Sequence, residues 1–143
     1  MKARPLVARL SISLPSELVP DLDAMVAAKG YDNRSLAIAD MVRDQLVEHR
    51  ARRGQTSIAG SITLVYDHHK QHVQESLTRL QHDHPGIVIA ATHVHLDHDN
   101  CLEVLVVRGR ARVVKEMADQ LIAVKGVKHG RLTVTTTGAD LPS

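Results

Sequence analysis

One alternating segment near the N-terminus most constrains how this chain can fold. Between Val7 and Leu14, the apolar residues Leu10, Ile12 and Leu14 alternate with polar ones, which is the pattern of a half-buried β-strand. Two amphipathic helical patterns follow, and neither offers this strand a partner. An unpaired strand leaves its backbone groups unsatisfied, and two short helices cannot enclose a core. The segment therefore predicts pairing with the same strand of a second copy.

The two helical patterns have recognisable ends. Ser16 is a suitable cap for the first helix, and Gly30 is a suitable stop. Asn33 is the predicted cap of the second helix. If the strands of two copies pair antiparallel above these helices, the apolar side faces inward. The polar side chains of the strand then project outward together from both chains: Arg9, Ser11 and Ser13.

The second half of the chain alternates strand and helix patterns after a polar, basic stretch from His49 to Thr56. The predicted elements are strand 61–66, helix 68–81, strands 87–96 and 101–107, helix 111–124 and strand 127–136. This β-α-β-β-α-β order is typical of a ferredoxin-like sandwich, in which two helices cover one face of a four-stranded antiparallel sheet. We therefore expect an α/β (α+β) protein with domains at 1–52 and 61–143, joined by a linker at 53–60.

Composition excludes several classes of protein. With 143 residues, of which 43% are hydrophobic, the chain suits one domain or two small ones and excludes a large enzyme. Only Tyr31 and Tyr66 are aromatic, so a base-stacking platform for single-stranded nucleic acid is excluded. No apolar run approaches the ~18 residues of a membrane span. The single cysteine, Cys101, provides no disulfide framework, and we expect a cytoplasmic protein.

The ten histidines are the unusual feature of the composition. His93 and His95 lie in a predicted strand, where side chains alternate, so both imidazoles point to one face. A turn at 96–100 would return Cys101 to the side of His95, and His82 offers a fourth donor. Imidazole and thiolate suit zinc, copper, nickel and iron rather than calcium or magnesium, and the spacing leaves the metal and its geometry open. The other histidines of this region are expected to be solvated or secondary: His68, His69, His72, His84 and His98.

Four segments of the chain resemble the nickel-responsive transcriptional regulators (NikR). They are the strand 9–14, GYDNRS from Gly30 to Ser35, HVHLDHDNCLE from His93 to Glu103, and GVKHG from Gly126 to Gly130. The third is the most specific, and the first is shared with many ribbon-helix-helix repressors. The resemblance covers nearly the whole chain. It implies a ribbon-helix-helix DNA-binding domain, an ACT-like regulatory domain and a homotetramer built as a dimer of dimers.

The resemblance also implies a cofactor and its ligands. One Ni(II) per subunit would be held square-planar by His93, His95 and Cys101 of one subunit and His82 of a neighbour. Glu103 follows on the same strand, and we expect it to accept a hydrogen bond from a ligand imidazole. Nickel would order this domain and favour binding to operator DNA, and the regulated target would be a nickel uptake system under repression.

The partner implied by the resemblance is double-stranded operator DNA. Arg9, Ser11 and Ser13 would read bases in the major groove as part of a two-stranded ribbon. Many family members have threonine at the two serine positions, so contacts with thymine methyl groups would differ here. Asn33 and the free amides at the start of its helix are expected to clamp a phosphate, and Lys70 is expected to add a nonspecific phosphate contact.

Two other functions remain open at this point. In the first, a regulator of the same architecture senses an amino acid through its ACT-like domain, and the histidines are incidental. DNA protection that depends on metal, and that is lost in His95→Ala or Cys101→Ala, would separate the two regulators. The second alternative is a metalloenzyme, which needs an open coordination position and a poised base. Glu103 is the only nearby candidate for that base, so we expect no enzyme activity.

Overall fold

The computed structural model describes residues 6–141, which form four helices and four strands. The helices are α1 (Leu18–Ala28), α2 (Arg34–Arg52), α3 (Gln71–Asp83) and α4 (Ala111–Ile122), and the strands are β1 (Ser57–Asp67), β2 (Val88–His95), β3 (Asn100–Arg110) and β4 (Val127–Thr136). These residues divide into two compact units, 6–46 with Leu141 and 47–140, and the division falls within α2. Within 6–141, no helix is both long enough and apolar enough to cross a membrane.

The second unit has the predicted order β-α-β-β-α-β. Its strands form one antiparallel sheet in the order β2-β3-β1-β4. The central pair, β1 and β3, is in register from Ser57 opposite Arg110 to Asp67 opposite Asn100. Strand β1 begins at Ser57 rather than at Ser61, so it includes part of the segment that the sequence pattern assigned to a linker. The predicted class of sandwich is therefore observed, with a longer central strand.

The core of this unit lies between the sheet and its two helices. The buried side chains of the helices are Val73 and Leu77 of α3 and Ala111, Val114, Met117, Ala118 and Leu121 of α4. The buried strand side chains are Ile58, Ile62, Leu64, Tyr66, Cys101, Leu105 and Val107. The strand members are all even-numbered in β1 and all odd-numbered in β3, because successive side chains of a strand point to opposite faces. Cys101 and Tyr66 thus belong to the helix-covered face.

The glycines of GVKHG are explained by close packing between β4 and the helices. Gly126 has φ +106°, and a Cβ atom there would collide with Val73 of α3. At Gly130 a Cβ would lie 2.5 Å from Ile122 Cγ1 and 2.9 Å from Leu64 Cδ2. Both distances are well inside the ~3.5 Å at which carbon atoms pack. A larger residue at either position would displace a helix or a core side chain, so these two glycines serve the fold.

In the first unit, residues 6–15 form neither a helix nor a strand. The predicted strand Val7–Leu14 is therefore not formed in the single chain. Among the described residues, no strand lies beside this segment to pair with it. Leu10 is 88% exposed and Ile12 is 63% exposed. These apolar side chains need a cover that the single chain does not provide within its described residues.

The two helices of the first unit confirm one predicted cap and correct the other. The side chain of Asn33 accepts a hydrogen bond of 3.0 Å from the backbone N–H three residues further on, so it caps α2 as predicted. Ser16 does not cap α1; Glu17 occupies that position and makes no side-chain capping bond. Arg34 joins the helices through two hydrogen bonds to the carboxylate of Asp23, at 2.7 and 2.8 Å.

Candidate metal centre

The β2–β3 hairpin places three of the predicted ligands side by side. His95 is opposite Cys101, and His93 is opposite Glu103. Opposite residues of an antiparallel pair share a face, so these four side chains lie on the helix-covered face of the sheet. The ring centroids of His93 and His95 are 5.4 Å apart. The hairpin that the sequence predicted is therefore present, and it brings two imidazoles and a thiol to one region.

Asp97 holds the turn of this hairpin. Its Oδ1 accepts hydrogen bonds from the backbone N–H groups of Asp99 and Asn100, at 2.9 and 2.8 Å. The side-chain amide of Asn100 donates to Oδ2 at 2.9 Å. These bonds, led by that of the Asn100 side chain, lower the pKa of Asp97 to about 2. The ionised carboxylate therefore stabilises the turn that aligns His95 with Cys101.

Tyr66 supports the site from the adjacent strand β1, and sequence analysis assigned it no role. It lies opposite Cys101 in the β1–β3 register and is 1% exposed. Its hydroxyl donates a 2.6 Å hydrogen bond to Glu103 Oε2 and lies 3.3 Å from His93 Nδ1. Burial, followed by the bond to Glu103, raises the pKa of Tyr66 far above its usual value. The hydroxyl therefore stays protonated and remains a donor.

Glu103 is thus engaged differently from the expectation. Its short hydrogen bond comes from the Tyr66 hydroxyl, whereas its Oε2 is 4.0 Å from His93 Nδ1. The hydroxyl of Tyr66 lies within hydrogen-bonding reach of both groups. Tyr66, Glu103 and His93 therefore form a small polar network, in which the Tyr66 hydroxyl orients the His93 ring.

The thiol of Cys101 is buried in the core of the second unit. It donates a hydrogen bond of 3.4 Å to the backbone carbonyl of Tyr66. Burial is the main cause that raises the pKa of Cys101, while a hydrogen bond with Tyr66 acts in the opposite sense. The free protein therefore holds the protonated thiol, whereas the thiolate is the form that ligates metals.

A second group of imidazoles lies beside His95. The ring centroid of His68 is 4.7 Å from that of His95 and 4.1 Å from that of His69. Both added histidines lie in a turn after β1, where the side chain of Asp67 accepts a 2.9 Å hydrogen bond from the backbone N–H of His69. His68 Nδ1 is buried and has no hydrogen-bond partner. The signal for this group was the run YDHH at the end of a predicted strand, which places two imidazoles at the edge of the sheet.

Two sets of side chains bring their possible ligand atoms within 4.8 Å of one another. These sets are Asp67 with His68 and His69, and His69 with His98 and Asp99. Within residues 6–141, the predicted set of His93, His95 and Cys101 is not one of them. His82 also belongs to neither set; it is exposed on α3, beside an open depression of about 480 Å³.

The donor chemistry of this region fits a borderline divalent ion. Two imidazoles share a face, the cysteine lies opposite one of them in the strand register, and a nitrogen of the neighbouring His68 ring lacks a partner. Nitrogen and sulfur donors of this kind suit nickel, copper or zinc. His82 is exposed on α3, so its imidazole is accessible to a neighbouring copy.

The predicted DNA contacts are placed as follows. Arg9, Ser11 and Ser13 are exposed in the segment that precedes α1. Asn33 caps α2, and its neighbouring amides lie at the start of that helix. Lys70 is exposed at the N-cap of α3, in the second unit.

Comparison with known proteins gives consistent matches over both units. Residues 59–135 match the family described as the NikR C-terminal nickel-binding domain. Similar proteins carry the name "Putative nickel-responsive regulator". That of Solibacter usitatus is 50% identical over 135 residues, or 94% of this chain and 97% of that protein. That of Geobacter sulfurreducens is 53% identical over 133 residues, or 93% of this chain and 96% of that protein. That of Pyrococcus furiosus is 45% identical over 135 residues, or 94% of this chain and 98% of that protein.

Proposed function

The chain belongs to the family of nickel-responsive regulators (NikR), and from this premise we propose that it is a repressor that binds operator DNA when its second unit holds Ni(II). The relatives are named as regulators rather than enzymes. The observation that carries the proposal is the β2–β3 register, which aligns His95 with Cys101 beside His93 inside the matched nickel-binding domain.

We assign the nickel to His93, His95 and Cys101 of one subunit and to His82 of a neighbouring subunit, with one ion per chain. The support is the shared face of the first three and the exposure of His82 on α3. Bound nickel would link side chains of two subunits and so order the regulatory domains. The residues of this chain prepare that state: Asp97 stabilises the turn between the two strands, and Cys101 must lose its proton before it can act as a ligand.

DNA recognition is assigned to a ribbon formed by two copies of the first unit. The strong exposure of Leu10 and Ile12 supports it, because pairing with a second chain would cover these side chains. In such a ribbon the alternate positions face the major groove: Arg9, Ser11 and Ser13. Asn33 and Lys70 would add phosphate contacts. Two ribbons on a central core of regulatory domains make the proposed homotetramer.

An optical titration of the free protein with Ni(II) tests the ligand assignment. We expect a thiolate-to-nickel charge-transfer band that saturates at one ion per chain and is missing in Cys101→Ala. His129→Ala, which removes an exposed imidazole outside the two ligand-atom sets, is the matched control and should keep the band. A band of normal intensity in Cys101→Ala would refute the assignment.

DNA footprinting tests the regulatory function. We expect protection of operator DNA only with nickel, and loss of that protection in His95→Ala and in Cys101→Ala. Protection that requires an amino acid instead of nickel, and that survives both substitutions, would replace this proposal with the amino-acid sensor.

A further inference from the structure

Three arginines line one cavity of the second unit, at the N-terminal end of α4. The cavity has a volume of about 480 Å³, and its lining consists of Arg53, Gly54, Gln55, Arg110 and Arg112. We call it the arginine cavity. Its size is within the range of ordinary small-molecule sites. It contains no acidic residue and no apolar side chain, so its chemistry is that of guanidinium groups, one amide and backbone.

The backbone around the arginine cavity is held in place by hydrogen bonds. The N–H of Ala111 donates to the carbonyl of Thr56, and the N–H of Arg112 donates to the carbonyl of Gly54, both at 2.9 Å. Gly54 has φ +77°, a conformation that glycine adopts without strain. These contacts tie the segment 53–56 to the first turn of α4. The three arginines therefore extend from a fixed frame, which lowers the entropy cost of binding a ligand.

The charges of the cavity lie where a helix does not favour them. The N-terminus of a helix carries a partial positive charge, and acidic residues are stabilising there. The first turn of α4 has no acidic residue; instead, Arg110 is its N-cap and Arg112 follows. Arginines at a helix N-terminus oppose the helix dipole, and residues that disfavour the local structure are expected at functional sites.

Two neighbouring cations have polar partners, whereas the three arginines of the cavity form no ion pair among the described residues. Arg52 pairs with Glu48 at 2.6 Å, and Lys115 donates to a backbone carbonyl at 2.9 Å. Glu116 and Asp119, further along α4, line an adjoining depression, and Arg53 and Arg112 line that depression as well. In the described part of the chain, neither arginine forms an ion pair with these carboxylates. The positive charge of the cavity is thus available to an anion.

We propose that the arginine cavity binds phosphate groups of the DNA backbone. The proposal rests on the proposed DNA binding of this chain and adds a nonspecific contact made by its second unit. The guanidinium fork matches the oxygens of a phosphate and forms paired hydrogen bonds with it. A free nucleotide would need apolar or aromatic walls for its base, and the cavity has none. A phosphodiester backbone needs only the charges that are present.

The test compares two double variants with equal loss of charge. Arg110→Gln/Arg112→Gln changes the cavity, and Lys125→Gln/Arg131→Gln changes two exposed cations away from it. The affinity of each nickel-loaded protein for a labelled 30-base-pair duplex is measured by fluorescence anisotropy over a range of salt concentrations. Each lost phosphate contact should reduce the slope of log K against log salt by about 0.9 and weaken binding about eightfold at 0.1 M salt. We expect this loss in the cavity variant and not in the control.

A second arm distinguishes the source of the phosphate. Inorganic phosphate is titrated into the protein at constant ionic strength, and the arginine side-chain signals are followed by nitrogen-15 NMR. Saturable shifts at Arg110 and Arg112, together with an unchanged DNA slope in the cavity variant, would overturn the proposal in favour of a free phosphate compound. Equal slopes for the two variants without such shifts would overturn it outright. If the unmodified protein binds no DNA, the proposed function fails first, and the two failures remain distinguishable.

Discussion

Removal of a single hydroxyl, by Tyr66→Phe, tests the polar network beneath His93. The ring is 1% exposed and stays in place, so the loss is confined to the contacts of the hydroxyl, of which the shortest is the hydrogen bond of 2.6 Å to Glu103. Hydrogen bonds to charged groups contribute about 1.5–3 kcal/mol to stability. The side chain of Glu103 is 13% exposed, so water can replace part of the bond. We therefore expect the free energy of unfolding to fall by about 1.5–2 kcal/mol, toward the lower end of that range.

The assay is urea unfolding of the metal-free protein, followed by circular dichroism at one protein concentration. The partner variant is Glu103→Gln, and the double variant completes a thermodynamic cycle, in which we expect a coupling of roughly 1 kcal/mol. A loss below about 0.5 kcal/mol, or an equal loss with and without the Glu103 carboxylate, would refute the argument. Because the hydroxyl also lies 3.3 Å from His93 Nδ1, Tyr66→Phe should lower nickel affinity by about 10- to 100-fold, which the optical titration measures.

Three further outcomes are expected. Gly130→Ala should destabilise the protein by about 1–3 kcal/mol in urea unfolding, because the added Cβ would lie 2.5 Å from Ile122 Cγ1. Adding Ile122→Ala should reverse part of that loss. A Gly130→Ala variant of unchanged stability would contradict this packing. Folding lowers the pKa of Asp97 from 3.8 to about 2, so its carboxylate stabilises the folded protein above pH 3.8 and loses that effect as the pH falls toward 2. Asp97→Ala should therefore be less stable than the unmodified protein at pH 7 and differ from it least near pH 2. A stability difference that does not change with pH would contradict this prediction. Folding raises the pKa of Tyr66, so its protonated hydroxyl stabilises the protein fully below pH ~10 and less above that value, where the tyrosine of the unfolded chain ionises first. The free energy of unfolding should therefore decline between pH 9 and 11, and Tyr66→Phe should lessen that decline. Parallel curves for the two proteins would refute the prediction.

Sequence periodicity was sufficient to predict the helices and strands of the second unit. It also predicted which side chains the β2–β3 hairpin brings together. Alternation in strands and the turn residues at 96–100 predicted a hairpin, and register then places His95 opposite Cys101 without further information. The signals are local, since the period of a strand decides which side chains share a face. The same local logic identified the Asn33 cap, and it failed at Ser16 because helix α1 begins at Leu18, with Glu17 at the capping position.

Tertiary structure alone decided which groups surround the histidines. Tyr66 reaches the site because β1 lies between β3 and β4 in the sheet, an order that no local pattern contains. His68 reaches His95 because β1 ends beside the β2–β3 turn, where the N–H of His68 donates to the carbonyl of Asp99. The arginine cavity forms because the segment 53–56 bonds to the first turn of α4. Periodicity reports the direction of a side chain relative to its own element. Contacts between distant parts of the chain depend on the order and packing of the elements, and those are set by burial of the whole core.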